Sequence, residues 1–87
     1  MVAKLQDGFE IQIEEDSLNS WDLLEVLSDI DEGETGLIVK AARILLGKEG
    51  VSKLKEHLRN ENGKVQADTM VQAIAELMES ANQLKNS

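Results

Sequence analysis

The chain has 87 residues, no cysteine, and a net charge of −8 from 17 acidic against 9 basic side chains. Without cysteine there are no disulfides and no thiolate metal sites, and so acidic a surface repels phosphate backbones. The length suits a single domain that buries only about 60% of its unfolded surface, so its stability should be modest.

The first segment predicts a β-hairpin over 2–13. Val2 to Gln6 and Phe9 to Ile13 alternate on either side of Asp7-Gly8, and Asp-Gly favours a two-residue type I′ turn. Phe9, Ile11 and Ile13 share one face, which must pack on a helix because a lone hairpin is marginal in water. The outer edges of such a hairpin are open to strand addition.

After the polar Glu14-Glu15-Asp16, Ser17 or Ser20 can cap a helix over about 18–30. Leu18, Trp21, Leu24 and Leu27/Val26 follow at helical spacing, and Ile30 closes the stripe. Trp21 and Phe9 are the only aromatic rings of their kinds and are expected to seal the hairpin onto the helices. The acidic, glycine-bearing segment from Asp29 to Gly36 ends this helix.

The organising stretch is 36–47, GLIVKAARILLG. Its apolar side chains cover nearly the whole circumference of a helix over about 35–46, beginning at Glu34 or Thr35. Such a helix has to be wrapped on several sides. Lys40 and Arg43 share one narrow strip for water, and Gly47 is placed to end the helix in a left-handed conformation. Lys48-Glu49-Gly50 then reads as a turn. A third helix over about 50–60 presents Val51, Leu54 and Leu58, and Asn60-Glu61-Asn62-Gly63 stops it. The last helix, over about 67–84, can be capped by Asp68. Met70, Ile74, Leu77, Ala81 and Leu84 form one stripe, and Val71, Ala75 and Met78 form another. That face is wider than a coiled-coil seam needs, so one stripe can meet a partner, helped by adaptable methionines. Gln83 to Ser87 should fray. The fold class is therefore α+β, mainly α: a hairpin followed by about four helices packed around a buried central helix.

No catalytic chemistry emerges. A loop starting at Asp29 puts Glu34 and Lys40 where a calcium-binding loop needs Gly and a bidentate Glu. His57 is the only histidine and is expected as a partly buried structural residue, with no second histidine for zinc. No Gly-x-Ser-x-Gly and no phosphate loop occur. The cluster Lys48, Lys53, Lys55 and Arg59 is diluted by Glu49 and Glu56 and reads as a solvated face. MVAKLQDGFE has no long apolar run, so no signal peptide is expected, and no run is long enough to span a bilayer. The expectation is a non-enzyme without metal, cofactor, nucleic-acid or membrane partner.

The order of segments KLQDGFEIQI, SLNSWDLLEVLSDID, an apolar helix ending LLG, LKEHLRNENGKV and a final amphipathic helix resembles the small tail assembly chaperones of tailed phages and prophages of Gram-positive bacteria. Gly8-Phe9-Glu10, Trp21-Asp22-Leu23-Leu24-Glu25 with Asp29 and Asp31 behind it, and Leu54-Lys55-Glu56-His57-Leu58-Arg59 through Gly63 carry the resemblance. It implies a viral protein of the host bacterial cytoplasm. That protein would cover apolar surface on the tape-measure protein, or on tail-tube subunits, until the tube displaces it during tail morphogenesis. The partner contacts expected here are Met70, Ile74, Leu77 and Met78, with Trp21 as a further one. Two other roles suit the same residues: a self-associating connector subunit, or a small acidic regulatory module that binds a basic protein.

Overall fold

The computed structural model describes residues 1–31 and 36–86, and for 30, 31, 85 and 86 the backbone alone. The chain is α+β and mainly helical. Strands β1 (Val2–Lys4) and β2 (Glu10–Gln12) precede the helices α1 (Glu15–Leu18), α2 (Trp21–Asp31), α3 (Leu37–Leu58) and α4 (Ala67–Asn86). The radius of gyration is 12.5 Å, close to the roughly 12 Å of a compact chain this long.

The strands pair antiparallel with Ala3 opposite Ile11. Their turn is one residue longer than the Asp-Gly motif suggests. The Gly8 amide donates to Leu5 O and the Leu5 amide to Phe9 O; φ is +98° at Gly8, and among the described residues none other than glycine has positive φ. This is a three-residue loop, a type I turn closed by a left-handed glycine, not the type I′ expected. The Asp7 carboxylate selects it by accepting the Phe9 amide at 2.9 Å. The core face is as expected: Ala3, Leu5, Ile11 and Ile13 are buried and Phe9 is partly so.

Met1 and Ile13 exchange both backbone bonds, so the amides of Lys4 and Gln6 point to the opposite edge of β1. There Lys4 N–H donates to Ser80 Oγ (3.0 Å) and Gln6 N–H to Glu76 Oε1 (3.2 Å). Side chains one turn apart on α4 thus close an edge that the hairpin alone leaves open.

The helix expected over 18–30 is α2, and a further single turn, α1, forms in the polar stretch before it and ends at Leu18. The hydroxyl of Ser20 accepts the Leu23 amide at 3.1 Å, which makes Ser20 the N-cap of α2. Counting from that cap, Leu23 and Val26 turn inward and are buried, whereas Trp21 is 69% and Leu24 57% exposed. The buried stripe is therefore shifted from the one expected, and Trp21 does not seal the hairpin. The expected role of the Ile30 side chain lies outside the described residues, as does a helix start at Glu34 or Thr35.

The two helices expected over 35–46 and 50–60 are both present and meet at a kink within α3. Gly47 has φ 73° and ψ 170° inside α3, a region open essentially to glycine alone. The chain changes direction there and re-enters the helix at once, so Lys48-Glu49-Gly50 is helical and not a turn. Burial of the central stretch is also less complete than expected. Ala41, Ala42 and Leu45 are buried, Leu37, Ile38, Ile44 and Leu46 are partly buried, and Val39 is 55% exposed. The remaining elements cannot cover a full cylinder, and the bulkiest core positions are shared with Ile13, Leu54 and Leu77. Asn60 closes the loop to α4: its Oδ1 accepts the amides of Asn62 and Lys64, and Gly63 takes φ 76°. α4 continues to Asn86, past the expected end at 84, and so includes residues expected to fray.

Candidate functional site

The two stripes of α4 have different fates. Ile74, Leu77 and Ala81 lie in the core, at 5%, 0% and 0% exposure. Ile74 and Leu77, two of the expected partner contacts, are thus core residues whose side chains hold α4 against the body of the protein. Val71 and Ala75 on the other stripe are exposed, and Met78 is half-buried. The five expected contact residues divide between the core and two separate grooves.

The first groove, about 380 Å³, runs between the start of α2 and the second half of α4. Trp21 and Met78 both line it, with Leu18, Leu24, Leu27 and Asn82 among their neighbours. Trp21 is there because Ser20 caps the helix immediately before it. The indole, at the first helical position of α2, lines the groove beside Leu18. The two most exposed large apolar side chains of the described residues, Trp21 and Leu24, thus sit together on one surface. Isolated exposed apolar residues are ordinary, whereas a contiguous patch with an aromatic anchor marks a contact site.

The second groove, about 270 Å³, lies between the elbow of α3 and the start of α4, and holds Met70 and Ile74 along with Val39, Val51 and Val65. Arg43 and Lys55 stand at its sides. Val39 was missed as a surface residue because the stretch around it is apolar but for Lys40 and Arg43; only the packing shows which side of α3 is left bare.

His57, with a side chain 32% exposed, joins α3 to the hairpin turn. Its Nε2 lies 2.7 Å from Asp7 Oδ2, and its ring stacks on Phe9 with centroids 4.4 Å apart. The Phe9 amide, and then the His57 ring, hold the Asp7 carboxyl below its ordinary value. This clasp fastens two elements fifty residues apart. Among the described residues, no three His, Cys, Asp or Glu side chains gather as a metal site would require, and no helix is long and apolar enough to cross a membrane. No buried side-chain polar atom of those residues lacks a hydrogen-bond partner. The arrangement offers contact surfaces. No family model, curated protein or solved structure matches this chain.

Proposed function

We propose that this protein is a non-enzymatic tail assembly chaperone of a tailed phage or prophage. It holds the tape-measure protein, or tail-tube subunits, in the host cytoplasm during tail morphogenesis. The observation that carries the reading is the apolar groove of Trp21, Leu24 and Met78 on an otherwise acidic body. A chaperone of this kind needs a reversible grip on apolar surface and enough charge to keep the complex dispersed. The resemblance of segment order supplies the partner, and the groove supplies the means. Co-expression with a tape-measure chain and affinity capture tests it. Capture should be lost with Leu24→Glu or Met78→Glu while the circular dichroism spectrum is unchanged; undiminished capture by both variants removes this surface from the mechanism.

A second reading, a self-associating connector subunit, is favoured by one observation: the groove holding Met70 and Val39 is flanked by Arg43 and Lys55, opposite in sign to the net charge of the chain. Light scattering over a hundredfold range of concentration separates the two, since a constant monomer mass eliminates the connector.

A further inference from the structure

Charge is distributed along this chain in blocks. Residues 5–39 hold eleven Asp or Glu and no Lys or Arg, which leaves +3 on the rest of a chain whose total is −8. Residues 65–84 hold Asp68, Glu76 and Glu79 and again no Lys or Arg. These blocks contain α1, α2 and α4 as far as Leu84, the elements that line the groove of Trp21 and Met78. The other apolar groove lies between Arg43 and Lys55. The two grooves on one small body thus differ in the sign of their surroundings.

On α2 the apolar and acidic positions lie side by side. Trp21, Leu24 and Leu27 step along the groove at intervals of three. Asp22, Glu25 and Asp29 step along the adjoining exposed flank at intervals of three and four. A ligand seated against the first set meets the field of the second. The matching ligand is a helix with an apolar stripe for Trp21, Leu24 and Met78 and with Lys or Arg on the flank of that stripe. A neutral helix leaves the carboxylates unused, and an anionic one is repelled.

We propose that the Trp21 groove, and not the Arg43 groove, docks a cationic amphipathic helix of the partner protein. This rests on the chaperone reading for the partner's identity, but its chemistry is tested without that partner. Two synthetic peptides are used, with the same leucine stripe and either lysines or glutamates on its flanks. Trp21 is the only tryptophan, so its emission reports occupancy of this groove directly. The lysine peptide should shift that emission to the blue, bind about tenfold more tightly than its glutamate twin, and weaken as salt is raised. Leu24→Glu, at a position already 57% exposed, should abolish the response with the melting curve unchanged, and Arg43→Glu should leave it intact. Equal binding of the twins, or loss with Arg43→Glu alone, overturns the assignment. So does a blue shift that grows with protein concentration when no peptide is present, because a second copy then fills the groove. If a tape-measure chain is captured while Trp21 emission stays constant, the groove assignment fails and the chaperone reading survives. The reverse pattern, peptide binding without capture, sinks the chaperone reading alone.

Discussion

At Gly47 a single residue decides the path of α3. Its φ of 73° and ψ of 170° are accessible to glycine without penalty and cost other residues about 1–3 kcal/mol. Gly47→Ala should lower the unfolding free energy by about that amount in urea titration, although no atom stands within 4 Å of the added methyl; an unchanged midpoint would mean that the elbow is not required. Gly50 is a contrasting case on the same helix. A methyl there would lie 2.8 Å from Leu46 Cβ and 3.4 Å from Ile11 Cδ1, so the obstacle is crowding against Leu46 across the elbow of α3 and not backbone strain.

Asp7 gives a pH dependence whose sign follows from its partners. Its folded pKa lies below the ordinary 3.8, so the carboxylate stabilises the fold fully above the unfolded pKa. That contribution fades as pH falls through the folded pKa. Carboxyl chemical shifts should place Asp7 below 3.8 in the folded protein. His57→Phe should keep the stack on Phe9 yet move that value upward part of the way, because the Phe9 amide bond remains. No movement would assign the shift to the turn alone.

Among the elements, α4 serves two surfaces at once. Its inner stripe is core, and Leu77→Ala, at a site with no exposure, should cost about 2–5 kcal/mol. Met78→Glu, one residue along and half-buried at the groove, should cost far less in the same denaturation experiment. A third face of α4 ties down the hairpin through Ser80 and Glu76. Ser80→Ala should destabilise by about 0.5–1.5 kcal/mol, and with Glu76→Ala it should speed amide exchange at Lys4 and Gln6. Slow exchange in the double variant would show that the sheet edge does not depend on α4.

On the scale of the whole molecule, a chain with a net charge of −8 repels itself in the folded state more than in the expanded one. Raising salt from about 10 to 150 mM, where the screening length falls to about 8 Å, should therefore increase the urea midpoint. A midpoint that falls with salt would show that attractive pairs outweigh the repulsion. Among the described residues the cross-element ion pair is the His57–Asp7 clasp; the others are local, Lys4–Glu10 within the hairpin and Arg59–Glu56 within one helical turn.

Local pattern was enough to determine much of this protein. The alternation around Asp7-Gly8 implied the hairpin and its buried face, the helices of 18–30, 35–46, 50–60 and 67–84 followed from apolar spacing, and the apolar face of α4 was visibly wider than one packing seam needs. These properties depend on near neighbours along the chain, where backbone geometry alone sets which side chains share a side. Which sides are covered was decided only by tertiary packing. Trp21 and Leu24 belong to an apolar stripe by spacing, yet the Ser20 cap and the burial of Leu23 and Val26 leave them outside. Ile74 and Leu77 look as available as Met78 until α4 is laid against the core. Val39 sits in the most apolar stretch of the chain and is still bare, because 87 residues supply too few elements to enclose a helix on every side. The groove joining Trp21 to Met78 brings together residues 57 positions apart, a proximity that follows from how the helices stack and that no local spacing encodes.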